Sequence, residues 1–356
     1  MSQKKLRDDL NMASNRLEWA DSLKCFLIII VVWGHLIQYY SGLNIFWESR
    51  IWEIIYSFHM PLFIFISGYF FRNKTNWKDL FKTKSLQLLL PGFSCAIIVY
   101  LINCGLDDIQ WLDMKHIVES ACLNFWFLKT LFVCLLLGIA FFYNRTICIF
   151  SLLFFWFFIR FGCYDYITIN LINNLLSAIG GGNGLFFLLP FFIMGYYLRN
   201  SLLIKKMDKS IYILISFLLW IFFMIFFKGS DTIYFASATW FSIKSIAYAE
   251  ILKTIYRDLV ALCAVVFWVL LFKRYYCCIS MIRIQKTICW IGRNTLGIYV
   301  FQYLIVEQNI FNLPFYSVCS NSVICCIMAI LIVLLLNLLV HYVRKIKYVS
   351  IWFMGI

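Results

Sequence analysis

Asp21-Ser-Leu-Lys24-Cys-Phe-Leu-Ile-Ile-Ile-Val-Val-Trp-Gly-His35-Leu-Ile37 is an apolar run opened by a carboxylate and an ammonium and interrupted by one imidazole. Continued to position 41, it is long enough as a helix to cross the roughly 30 Å hydrocarbon core of a bilayer. His35 follows Lys24 by eleven positions, and eleven helical steps turn the chain about 1100°, within ~20° of three full turns. The two side chains therefore share one face, about 16 Å apart along the helix axis. Asp21, one turn before Lys24, is placed to pair with it and fix its side chain.

The pattern recurs along the chain. Apolar runs bounded by charge stand near 24–41, 51–71, 86–104, 123–143, 146–162, 184–198, 211–227, 254–272, 295–311 and 321–343. Some cross the core only with local thinning or tucked-in flanks. The fifth and sixth are short, so the count is ten, give or take one or two. The runs lack strict alternation and exceed the ~10 residues of a barrel strand, which excludes a β-barrel. The expected fold is all-α, a polytopic transmembrane helix bundle of about ten spans. Composition agrees: 63% of the 356 residues are apolar and 13% charged, against about half and a quarter in soluble domains. That leaves too little polar surface to cover a water-soluble globule.

Orientation comes from the basic residues. With the N-terminus inside, inner segments collect Lys4, Lys5, Arg7, Arg16 and Lys24, then Arg72, Lys74, Lys78, Lys82 and Lys84. Later inner segments add Arg199, Lys205, Lys206 and Lys209, then Lys273, Arg274, Arg283, Lys286 and Arg293, and last Arg344, Lys345 and Lys347. Both termini are therefore expected in the cytoplasm, with the chain integral to the cytoplasmic (inner) membrane. Three segments result: a cytoplasmic tail over 1–22, a transmembrane domain over 23–343 and a basic cytoplasmic tail over 344–356. The first span reads as an uncleaved anchor, since no small-residue cleavage site follows a short apolar core. The net charge of +14 is then the inside-positive bias plus a surface for anionic lipid or an anionic cytosolic ligand, not for nucleic acid. The fourteen cysteines show no CxxC or Cys/His spacing, so no disulfide framework and no metal site are expected. The glycine run Gly180–Gly184 lacks the lysine of a phosphate-binding loop and reads as an outer turn.

The second span runs inward from Ile51 to Phe70 and ends on Arg72 and Lys74. His59 lies about 12 Å below its outer end, near the depth of His35. Cations at the inner mouth and imidazoles at the centre thus form a column. Ionisable groups at that depth are costly and tend to belong to a site or pathway. Imidazole, with an ordinary pKa of about 6.5, is suited to moving protons. The plainer alternative for each histidine is an interhelical hydrogen bond that holds the bundle together.

Asp21-x2-Lys24-x10-His35, Ser57-Phe-His59-Met-Pro-Leu-Phe63 and Ser67-Gly-Tyr69-Phe-Phe-Arg72 resemble the signature of acyltransferase family 3. These are membrane O-acyltransferases of bacterial glycans, the fucose 4-O-acetylase-like sugar acetylases among them. Phe125-Trp126-Phe-Leu128, Gly195-Tyr-Tyr-Leu-Arg199 and Gly292-Arg-Asn-Thr-Leu-Gly-Ile-Tyr299 extend the likeness over essentially the whole chain. Two positions depart from the pattern. Arg72-x-Lys74 replaces an Arg-x-Arg pair, and Gln302 stands where many members carry a histidine.

The resemblance implies transfer of an acyl group, usually acetyl, from acyl-CoA on the cytosolic side to a sugar hydroxyl of a lipid-linked or cell-surface glycan. On that reading Lys24, Arg72 and Lys74 hold the phosphates of acetyl-CoA. His35 either deprotonates the hydroxyl or carries the acetyl group transiently, with Asp21 orienting Lys24. His59, Tyr69 and Trp126 shape the acceptor site, while Ser67 and Gly68 serve close helix packing. Lys129 either faces the cavity or reaches out to the interface. A competing reading is a proton-coupled transporter or flippase of a glycan or small solute. It requires broken helices at mid-membrane, internal repeats and coupled intramembrane carboxylates, for which Glu307 and Asp258 are the candidates.

Overall fold

The computed structural model describes residues 3–41, 46–72, 76–104, 114–141, 146, 149–150, 183–199, 201, 206–207, 209–232, 246–276, 282–315, 319 and 321–355. Among them all regular structure is helical. Helix α1 (Gln3–Tyr40) leads to α2 (Arg50–Phe70), and α3 (Trp77–Lys84) continues through a π-helical turn at Ser85–Leu89 into α4 (Leu90–Cys104). Next come α5 (Met114–Asn124), α6 (Trp126–Phe141), α7 (Asn183–Arg199), α8 (Ser210–Phe226) and α9 (Ile246–Tyr275). The chain closes with α10 (Ile282–Arg293), α11 (Thr295–Gln302) and its π-helical continuation Tyr303–Glu307, α12 (Ser322–Val343) and α13 (Lys347–Met354).

Five helical stretches among the described residues are long and apolar enough to cross a membrane: Glu18–Tyr40, Arg50–Phe70, Trp77–Ile102, Leu252–Tyr275 and Ser322–Val343. The fourth apolar run is not one straight span. Ile117–Asn124 and Trp126–Ile139 meet at a 77° bend, and only as a pair are they long and apolar enough to count as a sixth crossing. The runs at 184–198, 211–227 and 295–311 form the shorter helices Phe187–Arg199, Ser210–Phe226 and Thr295–Glu307. The run at 146–162 lies outside the described residues apart from 146, 149 and 150.

The two expected tails are helical. α1 begins at Gln3 and enters the first span without a break. Within 344–356, α13 folds back on α4 and α11: Ser94 Oγ donates to the Trp352 carbonyl at 2.8 Å, and Phe353 stacks on Phe301. Gly355, at φ 64°, ends the helix in the left-handed conformation that glycine adopts without penalty.

α1 lies at the centre, packed on α2, α9, α10, α11 and α12. Lipid provides no hydrophobic drive between helices, so close contact must hold them. The most extensive contact joins α2 to α7. A methyl group on Gly68 would collide with the Phe192 carbonyl, and one on Gly195 with the Phe65 carbonyl. Gly292 brings α10 onto α1 in the same way, against the backbone carbonyl of Asp21. At the other end of α2, buried Glu53 accepts from Arg50 Nη1 (2.7 Å) and from the Gly229 N–H (2.9 Å), fastening α2 to the segment after α8.

Candidate active site

Three cavities follow one another along α2, the first two also walled by α1. The first, about 230 Å³, holds His35 and is walled by Tyr56, Trp126 and Glu307. The second, about 350 Å³, holds Lys24, Lys84 and Arg293. Met60 and Tyr299 belong to the walls of both. The third, about 370 Å³, shares Ser67, Lys84, Leu88 and Leu131 with the second and reaches Arg72. α1 supplies Lys24, Ile28 and Val31 to the second cavity and His35, Gln38 and Tyr39 to the first. That is one stripe at steps of three and four, so Lys24 and His35 share a face as their spacing requires. α2 supplies the facing stripe: Trp52, Tyr56, Met60, Phe63 and Ser67.

In the first chamber, His35 Nδ1 stands 2.8 Å from Glu307 Oε1. The approach lies off the direction of an aligned hydrogen bond, so the two atoms are in close polar contact. Catalytic pairs in resting sites are often poorly aligned and tighten when substrate binds. Glu307 is itself held. Gln302 Nε2 donates to its Oε1 at 2.8 Å, and the Tyr39 hydroxyl donates to its Oε2 at 3.3 Å. The π-helical turn at Tyr303–Glu307 permits this, because its wider winding brings residues five apart to one side. A carboxylate at Nδ1 favours the tautomer protonated there and leaves the Nε2 lone pair available as a base.

The bend between α5 and α6 completes the wall. Asn124 ends one helix and Trp126 opens the other, and both line the chamber. Asn124 Nδ2 donates to the Tyr303 hydroxyl at 2.6 Å. The Trp126 ring lies over Gly184, where an added methyl group would press on the ring and force it to move. Irregular backbone at membrane depth is tolerated where it lines a cavity in this way.

At the second cavity, Asp21 binds two cations. Its Oδ1 lies 3.1 Å from Lys24 Nζ, and its Oδ2 accepts from Arg293 Nε at 2.9 Å. The hydrogen bond to Asp21 raises the hold of the Arg293 guanidinium on its proton. Lys24 Nζ also sits over the Phe70 ring, and Lys84 Nζ donates to Gln87 Oε1 at 2.7 Å. Three cations and one carboxylate leave this cavity net positive, and with its apolar walls of Ile28, Val31, Phe63 and Leu128 it is a setting for phosphate groups joined to an apolar arm.

Of the residues expected from sequence, His35, Lys24, Asp21 and Trp126 gather along this path, with Arg72 at its far cavity. Lys74 lies outside the described residues. His59 does not line either of the first two cavities. It is 2% exposed, its Nδ1 is 2.7 Å from the Ile55 carbonyl of its own helix, and its ring packs on Tyr56. One helical step is about 100°, and the inward position belongs to its neighbour Met60. Tyr69 packs edge-on against Trp19 and Phe70, also away from the three cavity walls. Sequence reading left Glu307 as a generic carboxylate and gave no site role to Gln302, Arg293, Lys84 or Asn124. The one signal for Glu307 was a carboxylate inside an apolar run.

An acyltransferase-domain family model matches residues 17–338. Nodulation protein NolL of Sinorhizobium fredii (strain NBRC 101917 / NGR234) is 42% identical over 92 residues, 24% of this chain and 25% of that protein. Nodulation protein NolL of Mesorhizobium japonicum (strain LMG 29417 / CECT 9101 / MAFF 303099) is 34% identical over 125 residues, 33% of this chain and 34% of that protein. The chain thus spans a quarter to a third of the length of these curated relatives. No solved structure matches. The family match runs from just before Asp21 into the last apolar helix and takes in His35, Arg293 and Glu307, so the chain belongs to acyltransferase family 3.

Proposed function

We propose that this protein is a multi-pass O-acyltransferase of the cytoplasmic (inner) membrane, which moves an acetyl group from acetyl-CoA to a sugar hydroxyl of a lipid-linked or cell-surface glycan. About ten spans with both termini in the cytoplasm put the Lys24 cavity on the cytosolic side, in keeping with the inside-positive distribution of basic residues. The observation that carries the reading is the His35–Glu307 pair at one end of a line of cavities whose next member is ringed by Lys24, Lys84 and Arg293.

Lys24, Arg293 and Lys84 hold the phosphates, with Arg72 at the next cavity. Acetyl-CoA bound there supplies an acyl thioester. His35, its ring set by Glu307, takes the proton of the acceptor hydroxyl as that oxygen bonds to the thioester carbonyl carbon. When the carbon–sulfur bond breaks, His35 returns the proton to the departing thiolate. The products are an ester and a free thiol. Trp126, Tyr56 and Asn124 position the acceptor. The test is to supply host membranes with labelled acetyl-CoA and count label in the glycan. Wild type is expected to transfer label and His35→Ala to lose about 10²-fold or more. Equal labelling by the variant would remove His35 from the chemistry.

The bend at Phe125 favours a transporter, since broken helices line transport sites. A transporter would leave no label covalently attached to glycan. The same experiment separates the two readings.

A further inference from the structure

We infer that Met60 and Tyr299, which form a waist between the two cavities and also wall the His35 chamber beyond it, set the length of acyl chain that chamber accepts, favouring a two-carbon group over longer ones. The inference rests on the acyl-transfer reading and concerns the specificity of that same site. Met60 and Tyr299 are the side chains common to the His35 chamber and the Lys24 cavity. A donor anchored through its phosphates near Lys24 and Arg293 must therefore bring its acyl end past them to reach His35.

The two walls of the waist differ in stiffness. Tyr299 is wedged by Phe125 and Phe127, both edge-on to it, with ring centres 6.2 and 6.1 Å away. Met60 is 5% exposed and stands on α2, which the Gly68 and Gly195 contacts press against α7. Its unbranched side chain can change rotamer and let a thioester through without moving the backbone. Beyond the waist lies a chamber of about 230 Å³, walled by the large rings of Trp52, Tyr56 and Trp126. The acceptor hydroxyl must occupy the same space. Every chain carbon past the second takes room from the acceptor or pushes the carbonyl back from His35. A pocket tuned to size discriminates one methylene by about 10- to 200-fold.

The test is a competition in host membranes between labelled acetyl-CoA and equal propionyl-CoA or butyryl-CoA, with the host's own glycan as acceptor. Wild type is expected to favour acetyl over butyryl by at least about tenfold. Met60→Ala and, on the opposite wall, Tyr299→Leu are each expected to shift the butyryl-to-acetyl ratio upward by about tenfold or more. The ratio is internal to each sample, so a variant made in low amount still reports, and either wall suffices if the other variant fails to fold. A ratio unmoved in the variants, or a wild type indifferent to chain length, overturns the waist. Failure of wild type to transfer any acyl group would instead overturn the acyl-transfer reading beneath it.

Discussion

His35 on α1 and Glu307 at the end of the π-helical turn meet with Nδ1 2.8 Å from Oε1, although they stand 272 positions apart in the sequence. Gln302 and Tyr39 hold the carboxylate in place, so the imidazole must adjust to it rather than the reverse. Glu307→Gln keeps the shape and removes the charge. Its kcat is expected to fall by about 10²- to 10⁴-fold, the range of a positioned proton-transfer pair, with donor KM little changed. Initial rates over donor concentration check this. A raised KM at constant kcat would make Glu307 a binding residue.

Asp21 holds Lys24 and Arg293 at once, which on the proposed function sets both cations for the donor's phosphates. Losing one hydrogen bond to a charged group costs about 1.5–3 kcal/mol. Lys24→Ala or Arg293→Ala should thus weaken CoA binding by about 10- to 100-fold. Titration of the detergent-solubilised protein with CoA measures this. Donor affinity unchanged in both variants would move the phosphate site elsewhere.

His59 packs away from the chamber, so its replacement should act on stability and not on chemistry. His59→Ala is expected to lower the melting temperature in detergent, through a loss of about 1–3 kcal/mol. Its kcat should stay within about threefold of wild type. A hundredfold loss of kcat at an unchanged melting temperature would return His59 to the site.

Gly68 and Gly195 let α2 and α7 touch backbone to backbone. Gly68→Ala should cost about 1–3 kcal/mol or more, because a carbonyl on a helix has no rotamer with which to yield. Gly34→Ala offers a comparison. Its methyl would meet the Tyr56 ring, a side chain that can shift. The folded fraction on size exclusion should be lower for Gly68→Ala than for Gly34→Ala, and the reverse order would refute the close-packing account.

The α1 face was legible because two rare polar residues, Lys24 and His35, mark it within an otherwise apolar run. On α2 the same reading missed by one residue. A helix apolar on nearly every side gives no periodic cue to its inward face, and His59, being polar, drew the assignment away from Met60. The break at Phe125 carries no proline or glycine to announce it. It is stabilised by partners far along the chain, such as Tyr303 on Asn124. Glu307 and Arg293 acquire roles only through His35 and Asp21, hundreds of positions away, and local pattern is blind to such contacts. The helical bundle itself needed only the length and number of apolar runs.

Gly292 and Arg293 are adjacent in sequence yet restricted for unrelated reasons. The first must be small so that α10 can rest on the Asp21 backbone, and the second must be cationic to reach the Asp21 carboxylate from there. A methyl group at 292 would therefore unhook the guanidinium without altering any ionisable atom. The electrostatics of this mouth are inherited through a steric vacancy, and a charge-neutral change of one residue is enough to rewire them.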